Sequence, residues 1–299
     1  MSWACPVCGG RRGERRWATP LRSEDGVDGG AFLPSSDRFG QTAGVVIRCT
    51  TCGHGSLAVT PRAADVSEAY RVAADEVSIR EEPGQVETAR RDLQRIEQIV
   101  PPGRMLDVGC WTGSFLVAAQ ERGWDPVGIE PSTWASERAR VRGVDVHVGE
   151  LSDHPFQHGS FRLVAMRDVI EHLTDPGDAL AAVTSLLEQG GAVFVTTPDA
   201  GSVIARLLGR RWWSVLPMHV QYFTRSSLER LLHAHGLRVR SMTTHPKVFS
   251  ARYYAERLGG YSEWVESAAE GIVRAVGRAE SLVAPDFRDR MAVIATMEG

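Results

Sequence analysis

Nowhere does the chain approach the roughly 18 consecutive apolar residues that span a bilayer, and its first residues lack the basic-then-apolar order of a secretory signal. No membrane association is expected, and the cytoplasm is the expected compartment. Positive charge is not in excess either: 34 Lys and Arg stand against 37 Asp and Glu, for a formal net charge of -3. A polyanion partner leaves a basic footprint, so composition does not favour nucleic acid. Cysteine is scarce, with five in 299 residues, and four of the five are paired rather than scattered as a disulfide framework would be. Internal repeats and low-complexity runs are also missing, which excludes a solenoid. What remains is a chain 43% hydrophobic, long enough for one large domain and a small appendage.

The cysteines give the first positive signal. Cys5-Pro6-Val7-Cys8-Gly9 and Cys49-Thr50-Thr51-Cys52-Gly53 each bring two thiolates within reach of one ion, with a glycine that lets the backbone turn around it. Together Cys5, Cys8, Cys49 and Cys52 make a tetrahedral four-thiolate set. Its geometry and softness suit structural Zn2+, with iron as an alternative on the same ligands. Four thiolates satisfy the ion, so His54 is expected outside its ligand set. Residues 26–44 are rich in Gly, Ser and Asp, and residues 45–48 have the pattern of a ribbon strand. Arg11, Arg12, Arg15 and Arg16 form a basic cluster, a solvated face by default and a polyanion contact in the alternative.

From residue 61 to 100 the pattern is helical, with Ala69-Tyr70, Leu93, Ile96 and Val100 at helical spacing until Pro101-Pro102-Gly103. Strands are then expected at 105–108, 127–129, 144–148, 161–166 and 192–196, alternating with helices that begin near Gly113, Trp134, Pro176 and Ser226. This alternation marks an α/β fold, a doubly wound parallel sheet with helices on both faces. Met105-Leu106-Asp107-Val108-Gly109-Cys110-Trp111-Thr112-Gly113 runs from an apolar strand through a glycine-bearing turn into a helix, the form of a nucleotide-binding loop. Pro126-Val127-Gly128-Ile129-Glu130 ends in an acid about 20 residues beyond the first glycine, where such folds hold ribose hydroxyls.

Leu106-Asp107-Val108-Gly109-Cys110 with Gly113, followed by Glu130, resembles class I S-adenosylmethionine-dependent methyltransferases. The resemblance implies a Rossmann-like seven-stranded sheet, with the sixth strand at 237–242 and an antiparallel seventh at 291–296. It also implies that Asp107, Gly109, Cys110, Trp111 and Gly113 cradle the methionine part of S-adenosyl-L-methionine, while Glu130 holds the ribose. Trp111 stands where many members have glycine and is expected as a wall of that pocket. Gly149-Glu150-Leu151-Ser152-Asp153 matches the family's turn over adenine, with Glu150 and Leu151 as contacts and Asp153 as the alternative acid. Arg167 joins these cofactor contacts at the carboxyl end of the fourth strand. Tyr70 resembles an aromatic residue that closes over the cofactor in many members, the alternative being a core or surface tyrosine.

Glu171-His172 resembles the small-molecule branch, whose histidine faces the methyl acceptor. His172 is thus expected to take a proton from a hydroxyl or amine as the methyl arrives, the alternative being a packed or helix-capping histidine. Residues 210–223 are aromatic and short of charge: Trp212, Trp213 and Tyr222 are expected as substrate wall or core, and His219 as a second base. The helical stretch 251–284, with Tyr253, Tyr254, Tyr261 and Trp264, suits a lid or a homodimer surface. The expected organisation is a zinc ribbon-like module at 1–60, a helical connector at 61–100 and a methyltransferase domain at 101–299 with a helical insertion near 246–289. The expected reaction is methyl transfer to a hydroxyl, amine or carbon of a small molecule such as a sugar or secondary metabolite. An RNA methyltransferase using its zinc module on substrate is the alternative, and an Asn-Pro-Pro-Tyr-type motif and a catalytic Pro-Cys are both missing for it. A zinc-stabilised adaptor with a vestigial loop is a third reading.

Overall fold

The computed structural model describes residues 3–17 and 38–298; most of the Gly, Ser and Asp-rich span lies outside the described residues. The chain opens with three short strands, β1 (Gly13–Trp17), β2 (Val46–Cys49) and β3 (Gly55–Leu57). They pair antiparallel, Gly13 opposite Cys49 and Arg48 opposite Gly55. Each knuckle is a tight turn closed through its cysteines. The Gly9 N–H donates to the Cys5 carbonyl at 2.9 Å and the Gly53 N–H to the Cys49 carbonyl at 3.0 Å, both glycines lying at positive φ. These turns bring Cys5 Sγ to 3.5 Å from Cys52 Sγ and Cys8 Sγ to 3.6 Å from Cys49 Sγ. Thiolates around a tetrahedral zinc stand about 3.8 Å apart, given Zn–S bonds of about 2.3 Å, so the four sulfurs fit the ion.

Three helices follow, α1 (Ala63–Arg71), α2 (Glu76–Arg80) and α3 (Glu82–Ile96). Asp75 starts α2 by accepting the Val77 and Ser78 N–H groups, which a helix's first turn would otherwise leave unbonded. Val86, Ala89, Leu93 and Ile96 form one apolar stripe along α3, buried with Met105 and Phe115.

The main domain then alternates β4 (Arg104–Val108), α4 (Ser114–Glu121), β5 (Asp125–Glu130), α5 (Thr133–Val141), β6 (Asp145–Val148), β7 (Phe161–Arg167), α6 (Pro176–Leu186) and β8 (Leu187–Pro198). After α7 (Val203–Leu208) come β9 (Gln221–Tyr222), α8 (Arg225–Ala234), β10 (Leu237–Thr244), β11 (Phe249–Ser250), α9 (Ala251–Glu256), α10 (Glu263–Ala275), β12 (Leu282–Val283) and β13 (Arg290–Met297). The large sheet has the order β10-β13-β8-β7-β4-β5-β6. Strands β4 to β8 pair in parallel, and β13 lies antiparallel between β8 and β10. Strands β7 and β8 are covered on both faces, which is why Leu163-Val164-Ala165-Met166 and Val193-Phe194-Val195 are unbroken apolar runs. Within β7, Val164 and Met166 face one core, and Leu163 and Ala165 face the other. The five strands and four helix starts expected from the periodicity, and the two further strands implied by the resemblance, all form within a few residues of where they were expected.

One pairing was not legible in the sequence. Strand β9 adds to the edge of the N-terminal sheet, with Gly55 opposite Tyr222 and Ser56 opposite Gln221, so the sheet beside the four cysteines is completed by residues far down the chain. His54, outside the sulfur cluster as expected, is buried there and bonds Gln221 Oε1 at 2.9 Å. The Gln221 amide group in turn donates to the Leu173 carbonyl at 3.0 Å. Removing the ion or a thiolate should therefore be felt at β9. We expect metal analysis to find zinc, and expect Cys49→Ser or chelation to lower the melting temperature and speed hydrogen exchange at Val220 and Gln221 by about tenfold or more. Exchange there that is indifferent to the metal would show a module standing apart from the catalytic domain.

Candidate active site

The loop after β4 is shaped by three residues at positive φ. At Gly109, φ is +67° and a Cβ would come within 2.8 Å of Val169 Cγ2, so only glycine fits. Trp111 adopts φ +49°, unusual for a bulky residue, with its indole N–H donating to Ser78 Oγ at 2.8 Å and its ring 5.5 Å from that of Trp134. Gly113, at φ +78°, does not line the cavity as the sequence suggested. A Cβ there would meet Val144 and Ala139, so its smallness lets α4 pack against α5 and β6 instead.

Two buried acids face the space in front of this loop. Glu130 accepts the Trp111 N–H at 2.9 Å and the Ser132 N–H at 2.8 Å, tying the β4 and β5 loops together. Burial pushes its carboxyl up to about 7 against the pull of those two N–H groups. Burial likewise raises Asp107 to about 7, and its Oδ1 is buried with no partner among the described residues. An orphaned carboxylate oxygen facing a nucleotide-type loop suits the ammonium of an amino-acid ligand, so these residues fit S-adenosylmethionine. Cys110, Glu150, Leu151 and Arg167 share the same wall. Glu150 accepts from Ser67 Oγ of α1, and the Arg167 guanidinium lies 4.6 Å over the Phe115 ring.

This wall continues without a break into a second compartment, within one cavity of about 1480 Å³. His172 Nδ1 lies 2.8 Å from the Tyr70 hydroxyl and 3.2 Å from the Met218 carbonyl. With the hydrogen on Nδ1, donated to the Met218 carbonyl, Nε2 is left as the base. His219 has the same arrangement, with Nδ1 at 2.7 Å from the Ser214 carbonyl, and its ring is 4.8 Å from that of His172. Burial holds His172 down to about 4; burial and then the neighbouring His172 hold His219 well below the usual range. Both are neutral at physiological pH. Glu171 accepts from Thr197 Oγ1 at 3.0 Å, and burial together with the nearby Asp168 charge pushes it up to about 8. Glu171, His172 and His219 offer one ligand atom each within 4.8 Å of one another and could take a divalent cation.

The aromatic segment divides. Trp213 lines the cavity, 5.3 Å from the Phe287 ring. Trp212 and Tyr222 do not: Trp212 is fully buried beside Trp17, Val46 and Val215 with its indole N–H on Asp289 Oδ2 at 2.8 Å, and Tyr222 packs edge-on to Trp17. Their apolar area closes the junction with the zinc module rather than the substrate space. Lys247 and Arg290, which sequence reasoning passed over, take part instead. Asp168, at φ +57°, receives Lys247 and Arg290; burial raises its carboxyl, but those two charges hold it well below the usual range. Tyr253, Tyr254 and Tyr261 of the insertion also face the cavity. The available signal was Lys247 itself, the only lysine in the sequence.

Residues 81–242 match the family described as Methyltransferase domain. The ubiquinone biosynthesis O-methyltransferase of Aeromonas salmonicida is 28% identical over 154 residues, covering 47% of this chain and 65% of that protein. The C-methyltransferase NovU of Streptomyces niveus is 30% identical over 142 residues, covering 45% of this chain and 33% of that protein. The chain thus spans less than two thirds of the first relative and a third of the second. A chain from the complex of the Haloferax volcanii Trm112 methyltransferase activator superposes with a TM-score of 0.51 at 14% identity, over 73% of this chain and 94% of that one, a likeness of fold alone. With its sheet order, its Gly109 turn and a family match over more than half its length, the chain belongs to the methyltransferase domain family.

Proposed function

We propose that this enzyme transfers the methyl group to a hydroxyl, amine or carbon of a small molecule, with sugars and secondary metabolites as the acceptor class, in the cytoplasm. The observation that carries this reading is the lining of one cavity, in which two neutral histidines and aromatic side chains adjoin the cofactor loop. The proposed organisation is a zinc-holding module over 1–60, a connector over 61–100 and a catalytic domain over 101–299. Tyr253, Tyr254 and Tyr261 on the cavity wall support a lid role for the start of the 246–289 insertion.

S-adenosylmethionine supplies its methyl on a sulfonium, and the acceptor attacks in line, so the chain's work is to bind, orient and keep out water. Asp107 is proposed to hold the amino-acid end, Glu130 the ribose, Glu150 and Leu151 the adenine, and Arg167 the wall between them. His172 Nε2 accepts the acceptor's proton while the Tyr70 hydroxyl and Met218 carbonyl fix the ring through Nδ1. A base held near 4 is weak toward a resting hydroxyl. It suffices because that proton becomes strongly acidic as the new bond to methyl forms. His219 is the second base, one ring away.

The acid limb of the rate follows from burial. His172 acts unprotonated, so activity is present above its pKa and disappears as pH falls through it. We expect initial rates at saturating S-adenosylmethionine, with labelled methyl and a cell metabolite pool, to hold from pH 8 to about 5 and fall toward about 4; a limb centred near 6.5 would mean an exposed, ordinary histidine. His172→Ala should lose about 100-fold to 10,000-fold in turnover with S-adenosylhomocysteine affinity nearly unchanged. Labelling of RNA in place of metabolites would overturn the small-molecule assignment.

Glu130 gives a second pH test. Its raised pKa means that the carboxylate protonates as pH falls through about 7, weakening ribose binding. Calorimetry should show S-adenosylhomocysteine binding more weakly at pH 6 than at pH 8, and Glu130→Gln should bind weakly at both. An unchanged pH dependence in Glu130→Gln would assign it to another group.

A further inference from the structure

The sole lysine of the chain is not on the surface. Lys247 follows β10 with its side chain 27% exposed, and its ammonium sits on Asp168 in the acceptor compartment. Arg290, the first residue of β13 and 19% exposed, meets the same carboxylate from the other side. Two cations thus share one carboxylate on the cavity wall. Glu171 and Asp289 also act on Arg290, and Asp289 takes the Trp212 indole N–H at 2.8 Å. Arg257 adds another cation to the same wall, stacked 4.5 Å over the Phe39 ring.

The loop carrying Lys247 is anchored at both ends. His245 Nε2 lies 3.0 Å from each Asp92 oxygen, both residues being buried, and the Val248 N–H donates to Thr88 Oγ1 at 2.8 Å. The ammonium is therefore held in place, not swung in by chance. Arg290 also keeps a buried Nε with no partner among the described residues. A buried guanidinium N–H without an acceptor is costly to hold unless a ligand oxygen arrives to take it.

We propose that Asp168, Lys247 and Arg290 form a recognition site for an oxyanion, a carboxylate or a phosphate, carried by the methyl acceptor. The anion docks on the free faces of Lys247 and Arg290, the rest of the acceptor lies along Tyr253, Tyr254 and Phe287, and its nucleophile is brought before His172. This rests on the methyl-transfer reading above and adds the charge class of the substrate.

The test uses full-length protein saturated with S-adenosylhomocysteine and three probes of one shape: benzoate, phenyl phosphate and phenol. Calorimetry should find at least one anion binding about tenfold or more tighter than phenol, with the advantage shrinking as salt rises. Whichever anion wins names the carboxylate or the phosphate. Lys247→Met and Arg290→Gln should each erase the advantage, Lys247→Arg should retain most of it, and S-adenosylhomocysteine affinity should be unchanged in all three. Reductive methylation offers a readout that needs no variant, because Lys247 and the N-terminal amine are the only targets: the bound anion should slow labelling of Lys247 and leave the terminus alone. Anions no better than phenol, or equally well bound by the variants, would overturn the proposal. Failure of the unmodified protein to bind S-adenosylhomocysteine would instead overturn the methyl-transfer reading beneath it.

Discussion

Two backbone N–H groups, of Val220 and Gln221, converge on the Glu171 carbonyl at 2.9 Å each, and much of the molecule is organised around that meeting. The carbonyl belongs to the loop that carries His172 and the donors to the segment that carries His219, so this contact sets the two imidazoles side by side. Because β9 is also the last strand of the N-terminal sheet, the same contact fastens that sheet to the main domain. The module is small and holds little core of its own. Its sulfur cluster and its seam with Trp212, Tyr222 and Val220 supply what hydrophobic burial alone does not.

Burial shapes the chemistry of the cavity in a consistent direction. Asp107, Glu130 and Glu171 are all pushed toward their neutral forms, and so are His172 and His219. An interior of low polarity disfavours charge of either sign, so each of these groups holds less charge at neutral pH than it would in water. Asp168, with Lys247 and Arg290 against it, is the exception. It keeps its charge because two cations meet it.

How far the sequence could be read depended on the range of the contacts involved. Strands such as β7 and β8, buried on both faces, declare themselves by unbroken apolar runs, and the Gly109 turn and Glu130 by short fixed spacings; these were legible. The four cysteines were legible for the same reason, since each pair is local. Trp212 and Tyr222 were not, because an aromatic residue against a core and one against a ligand leave the same trace in a sequence, and only the partner, here Trp17, distinguishes them. Gly113 was misjudged on similar grounds: its positive φ is real, but the close approach it permits is to Val144 and Ala139. The grouping of Asp168, Lys247 and Arg290 joins the ends of three strands and has no local signature.

The closure of β3 by β9 also bears on how the chain reaches this structure. The four thiolates are all within the first 52 residues, so an ion can gather them as soon as that segment exists. The partner for Gly55, however, is Tyr222, and every strand of the parallel sheet up to β8 lies between them. Pairing across so long an interval carries a large loop-closure cost and belongs late in folding. During synthesis the module therefore waits as a metal-clasped but unfinished ribbon, its outer edge unpaired, until the catalytic domain has formed and delivers the missing strand. The histidine pair, held by that strand, is among the last parts of the enzyme to come into being.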